Sequence, residues 1–130
     1  MYASSRGIVM SYQEARAKEL GAPGAAEITS SDVYQHARDG EPLAIAVMRE
    51  MGRALGIGIA NLINIFNPEM VVIGGGVKDA WPLFIEAVRD EVRKRAFEYP
   101  AERTQIVPSV LGDDAGMVGA AAVALQKAVA

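Results

Sequence analysis

A mostly helical α/β domain built around one parallel βαβ unit is the fold class this sequence predicts, and three observations predict it. Apolar residues recur at helical spacing through most of the 130 residues. Two short β-rich runs, residues 70–73 and 104–111, interrupt that pattern with a helical stretch between them. The first run, Met-Val-Val-Ile, stops on three consecutive glycines, Gly74, Gly75 and Gly76. A strand, a helix and a second strand in that order imply parallel pairing with a right-handed crossover.

Element by element, Ser4 or Ser5 can cap a first helix that carries Ile8, Val9, Tyr12, Ala15 and Leu20 on one side, with Gly21 past its end. Residues 21–26, containing Pro23 and Gly24, read as a loop. Thr29, Ser30, Ser31 and Asp32 supply capping groups for a short helix through Ala37, closed by Asp39 and Gly40. Pro42 is preset for the first turn of the next helix, which runs to Phe66 with Ile45, Met48, Met51, Leu55, Ile59, Leu62, Ile63 and Phe66 at helical spacing. That helix contains Gly52, Gly56 and Gly58, and each glycine inside a helix costs roughly 0.5–1 kcal/mol relative to alanine. Gly52, Gly56 and Ala60 fall on one stripe, which predicts close approach of another helix or of a ligand.

Asn67-Pro68 stops the long helix, because the residue before proline leaves the helical region and proline has no N–H. After the strand and the glycines, residues 79–97 form a helix with Trp81, Phe84, Ile85, Val88, Val92 and Ala96 inward. Outward, the spacing predicts ion pairs from Asp90 to Lys94 and from Glu91 to Arg95. Residues 98–103 read as a turn around Pro100, and Pro108 assigns the second strand to an edge or to the end of the ladder. Residues 112–116 then lead into an alanine-rich helix with Met117, Val118, Ala121, Leu125 and Val129 on one face. Two strands make a poor sheet by themselves, so further strands from elsewhere, or oligomerisation, are expected.

Composition excludes several classes of function. Residues 1–130 form a single domain, and at 51% hydrophobic and 22% charged residues the chain has material for a packed core. Aromatics make up only 6%, so the core depends on small side chains and close helices. The net charge of −3 argues against a nucleic-acid partner, and the basic residues between Arg89 and Arg95 alternate with Asp90 and Glu91 as on a solvated helix face. With no cysteine and with His36 as the sole histidine, a metal site is not expected, and His36 reads as an inert surface residue. No signal peptide or uninterrupted apolar span is present, which implies a soluble, cytoplasmic protein without membrane contact.

The glycine triplet is the one place where the backbone looks shaped for a ligand. A strand ending in residues without Cβ, just before a helix, lets a nucleotide lie against bare backbone N–H groups. Residues 61–77 read Asn-Leu-Ile-Asn-Ile-Phe-Asn-Pro-Glu-Met-Val-Val-Ile-Gly-Gly-Gly-Val, and residues 111–121 read Leu-Gly-Asp-Asp-Ala-Gly-Met-Val-Gly-Ala-Ala. With Tyr-Ala-Ser-Ser-Arg at 2–6 and Ser-Asp-Val at 31–33, this order resembles the C-terminal lobe of the ROK family of sugar kinases and sugar-responsive repressors. The resemblance implies an actin/hexokinase-like (ribonuclease H-like) lobe. It also implies that Gly74, Gly75 and Gly76 are the adenosine-side glycines of an ATP cleft, with Val77 lining the same pocket.

Other parts of the family pattern are missing. The phosphate loop Asp-x-Gly-Gly-Thr, the catalytic aspartate, the Glu-x-Gly-His sugar and zinc motif and the cysteine-rich zinc loop are not in this sequence. By the family pattern, Met1 falls just past the zinc site. No catalytic residue is therefore assigned. Asp113 and Asp114 read as capping residues rather than Mg²⁺ ligands, and Asn64 and Asn67 as partners of backbone groups where the long helix stops. The resemblance implies the nucleotide-side half of an ATP-dependent hexose kinase, inactive alone, with Mg²⁺ and sugar engaged only by a complete kinase. Two alternatives stand beside it: the effector lobe of a sugar-responsive repressor, or a non-catalytic module that forms homo-oligomers.

Overall fold

The computed structural model describes residues 4–21, 28–75, 80–111 and 114–129. The elements are α1 (Ser5–Leu20), α2 (Ser30–Arg38), α3 (Pro42–Phe66), β1 (Met70–Ile73), α4 (Trp81–Arg95), α5 (Glu98–Arg103), β2 (Gln105–Pro108) and α6 (Ala115–Val129). As expected, β1 and β2 pair in parallel, with Met70 opposite Gln105 and Ile73 opposite Pro108. They form a sheet of two strands.

Local sequence accounts for most boundaries. The Ser4 hydroxyl accepts from the Gly7 N–H at 3.1 Å, and Gly21 closes α1 in the left-handed region at φ +69°. At α2, Thr29 and Asp32 form a reciprocal capping box, in which the Asp32 carboxylate accepts from the Thr29 N–H at 2.8 Å. Its carboxyl is held below the ordinary range, chiefly by that backbone hydrogen bond. Asn67 ends α3 in the left-handed region at φ 45° and donates its N–H to the Ile63 carbonyl. Asn64 fixes the far end of α4 to α3, donating to the Arg95 carbonyl at 3.1 Å and accepting from the Phe97 N–H at 2.8 Å.

The core lies between α3 and α4 and is closed by α1 and α2. Ile8 and Tyr12 of α1, Val33 and Ala37 of α2, Met48, Met51, Ile59 and Ile63 of α3, and Phe84, Val88 and Val92 of α4 are all buried. Gly52 and Gly56 let α3 and α4 touch. A Cβ built on Gly52 would lie 2.6 Å from the Phe84 carbonyl oxygen, and one on Gly56 would lie 2.7 Å from that of Val88. The expected small-residue stripe is therefore a helix–helix contact.

Several expectations need correction. Residues 98–103 are a helix, α5, rather than a turn, because Pro100 sits in the first turn where no N–H is needed. The second strand is shorter than residues 104–111 and ends at Pro108, and α4 ends at Arg95 rather than at residue 97. Leu62 and Phe66, expected in the core, are exposed. Asp90 pairs with Arg93 instead of Lys94. Glu91 is not outward but only 5% exposed, and it gathers Arg95 at 2.7 Å, Lys94 at 3.4 Å and Arg53 of α3 at 3.8 Å. His36 is not an isolated surface group either. It joins Tyr12 and Glu41 in a cluster that ties α1 to the α2–α3 corner, with Nδ1 at 3.0 Å from the Tyr12 oxygen and 3.1 Å from Glu41.

Candidate functional site

β1 supplies four residues of which only Ile73 is fully buried, and its carboxyl end leads into the glycines. The end of the ladder fixes the position of that turn: the Ser109 N–H donates to the Ile73 carbonyl at 2.8 Å. Gly74 lies beside Ser109, where an added Cβ would be 3.5 Å from the serine Cβ, an ordinary contact. Gly75 adopts φ +86°, which L side chains rarely take, and a Cβ there would meet nothing among the described residues within 4 Å. At Gly75 the backbone conformation, and not crowding, requires glycine. Among the described residues, the space beside Gly75 is open at the carboxyl end of the parallel strands, where open α/β sheets bind their ligands. Gly76 and Val77 lie outside the described residues, as does Asp113. Asp114 immediately precedes α6.

A second feature was not singled out from the sequence. Between α2 and the first turn of α4, the helix into which the glycine turn leads, lies a cleft of about 860 Å³. Ser30, Ser31, Tyr34 and Arg38 form one wall, Pro82 and Leu83 the other. Tyr34 is 9% exposed, and its hydroxyl has no hydrogen-bond partner among the described residues. Burial pushes this phenol up, partly offset by the Ser30 hydroxyl nearby. The cleft thus combines an apolar wall with two hydroxyls at the start of α2, a phenol and the Arg38 guanidinium at its end. Nothing in the spacing of Tyr34 distinguishes it from a core tyrosine, so sequence alone gave no signal. Among the described residues there is no cluster of three or more His, Cys, Asp or Glu side chains able to hold a metal ion, and no helix long and apolar enough to cross a membrane.

The two-stranded parallel unit, with a glycine turn at its carboxyl end and a long helix packed through glycines, shares the actin-like fold of the sugar kinases it superposes on. The ROK family profile matches residues 1–127, and the chain belongs to the ROK family. It is 37% identical over 100 residues to the xylose repressor of Caldicellulosiruptor bescii, a match covering 77% of this chain and 25% of that protein. It is 34% identical over 92 residues to the glucokinase of Halalkalibacterium halodurans, covering 71% of this chain and 28% of that one. Among solved structures, a ROK family glucokinase from Streptomyces griseus in complex with glucose and AMPPNP superposes with a TM-score of 0.80 at 31% identity. That match covers 96% of this chain and 43% of the other. A ROK family transcriptional regulator, a homologue of the E. coli MLC protein, superposes with a TM-score of 0.71 at 31% identity over 82% of this chain and 28% of its own. The chain spans little more than a quarter of the length of these two curated relatives, 25% and 28%.

Proposed function

We propose that this chain is the nucleotide-side half of an ATP-dependent hexose kinase and that it does not turn over sugar alone. The observation that carries the reading is Gly75, held at φ +86° at the carboxyl end of β1 with no described residue within 4 Å of an added Cβ. Gly74, Gly75, Gly76 and Val77 are the residues assigned to the adenosine side of ATP. The likeness to a glucokinase solved with glucose and AMPPNP supports the choice of ligand. Phosphoryl transfer also needs a base, a metal and a held sugar hydroxyl, and the family motifs that carry them are not in this sequence. Mg²⁺ and sugar therefore belong to a complete kinase. The chain acts as a cytoplasmic protein.

Calorimetric titration with AMPPNP tests the reading, alongside a coupled glucose phosphorylation assay. Weak AMPPNP binding that is lost in Gly75→Val, with no phosphorylation, is the expected result. Glucose phosphorylation by the chain alone would overturn the half-site reading. A second reading has its own support in the 37% identity to a xylose repressor: the same lobe in a sugar-responsive regulator. Absence of AMPPNP binding in a folded protein would favour it.

A further inference from the structure

We propose that Tyr12, His36 and Glu41 form a binding site for a divalent transition-metal ion, copper(II) before others, which ties α1 to the α2–α3 corner. Three different elements bring a phenol, an imidazole nitrogen and a carboxylate together. The Tyr12 oxygen lies 2.8 and 3.0 Å from the two Glu41 carboxylate oxygens and 3.0 Å from His36 Nδ1, which is itself 3.1 Å from Glu41 Oε2. Metal bonds to such nitrogen and oxygen donors are about 2.1 Å long, so two donors at a right angle about one ion stand about 3.0 Å apart, and two at the tetrahedral angle about 3.4 Å. The spacings in this cluster match the right angle. They outline one face of an octahedral or tetragonal site, the arrangement that copper(II) and nickel(II) take with nitrogen and oxygen donors, and they are too short for a tetrahedral zinc centre.

The donors are held in place by the fold itself. Tyr12 is buried in the core, the Glu41 N–H donates to the His36 carbonyl at 3.0 Å, and Gly40 makes the corner between them at φ +90°. These distances lie inside the fold and require no surface to be uncovered. His36 and Glu41 are only partly buried in this chain, which gives an ion a way in. Counting histidines and cysteines gave no hint of such a site, because its third donor is a phenol. On binding, Tyr12 gives its hydroxyl proton to solvent and the neutral imidazole carries its hydrogen on Nε2 instead of Nδ1. The Glu41 carboxylate needs no change, so one proton leaves per ion bound. Burial resists the loss of the phenol proton, which selects against Mg²⁺ and Ca²⁺ and favours copper(II), the tightest binder of the first-row divalent series. Binding needs no nucleotide and is independent of the kinase reading.

Copper(II) chloride titrated into the intact chain, followed by calorimetry and visible absorption, tests the site. Binding of one ion per chain is expected, with release of one proton, a charge-transfer band from phenolate to copper and a raised melting temperature. Tyr12→Phe should abolish the band. His36→Gln and Glu41→Gln should each weaken binding about tenfold or more. Both of these side chains are partly exposed, so the variants should keep the wild-type helical circular dichroism. MgCl₂ should produce none of the signals. Absence of copper binding by the folded wild-type chain would overturn the proposal. So would binding without the phenolate band, or binding that His36→Gln leaves unchanged, since the ion would then sit on other groups.

Discussion

Tyr12 of α1 joins His36 of α2 and Glu41 at the start of α3 through one hydroxyl. It is 1% exposed, and its hydroxyl donates to the Glu41 carboxylate at 2.8 Å while lying 3.0 Å from His36 Nδ1. Its single proton goes to Glu41, so the imidazole nitrogen faces two acceptors and must itself carry a hydrogen. Burial, followed by the bond to Glu41, pushes the Tyr12 phenol above its ordinary value. A raised folded value means stability that is complete below the ordinary phenol range, about pH 10, and lost as pH rises through the folded value. Tyr34, also pushed up by burial, adds to the same alkaline loss. Tyr12→Phe should therefore destabilise the protein by about 1 kcal/mol near neutral pH and flatten the fall in melting temperature above about pH 10. Thermal denaturation monitored by circular dichroism across that range measures both effects. At the acid end the sign reverses. Asp32 is held low by its bond to the Thr29 N–H, and Glu91 is held low chiefly by Arg95. Their stabilisation is present above the ordinary carboxylate range and disappears as pH falls. Asp32→Asn should reduce the steepness of the acid transition followed by the same signal.

Between α3 and α4, sequence and packing say the same thing through different glycines. Gly52→Ala would drive a Cβ to 2.6 Å from the Phe84 carbonyl oxygen and 3.1 Å from the Ala87 Cβ, so one helix must move. The strain outweighs the helix-propensity gain, and a net loss of about 1–3 kcal/mol is expected in urea denaturation. Gly58, on the same helix, has nothing within 4 Å of an added Cβ. Gly58→Ala should stabilise by up to about 1 kcal/mol, and a matching loss at both positions would show that the contact geometry is not what distinguishes them. The Gly52, Gly56 and Ala60 stripe was legible because helical period alone brings those residues onto one face. The Thr29 and Asp32 capping box and the Asn67-Pro68 stop were legible for the same reason: each is a rule about neighbours within four positions. Where prediction failed, two local rules competed or distant groups decided. Pro100 signals a turn and also tolerates a first helical turn, and residues 98–103 take the second. Lys94 left Asp90 because Glu91, buried against α3, draws every cation within reach. The Tyr12, His36 and Glu41 cluster joins residues 24 and 29 positions apart, and no period in the sequence records it. At the candidate site the glycines were legible as a motif. The open space at Gly75, Ser109 at the end of the ladder and the α2–α4 cleft with Tyr34 were not, since each depends on which elements fold next to one another.

At the scale of the whole molecule, apolar surface is distributed unevenly, and that distribution ranks the elements by how much each supports the fold. Every buried apolar residue of the described core comes from α1, α2, α3, β1 and α4 or the residue that leads into it. Of α6, Met117, Val118 and Leu125 are exposed, although they belong to the apolar face the sequence predicts, and Val123 is exposed as well. An amphipathic helix whose apolar side chains remain in water adds little to stability, because hydrophobic stabilisation scales with apolar area removed from water. Ending the chain after Leu111 should therefore lower the urea denaturation free energy by less than about 1 kcal/mol, against the 2–5 kcal/mol typical of a single large-to-small substitution in a core. Phe84→Ala is the informative comparison, since Phe84 is fully buried and stacks edge-on against Trp81 with ring centroids 5.6 Å apart. If truncation proved as damaging as Phe84→Ala, α6 would have to be packed against the core in solution. A small loss instead would mean that the face of α6 is stabilised only when another surface covers it.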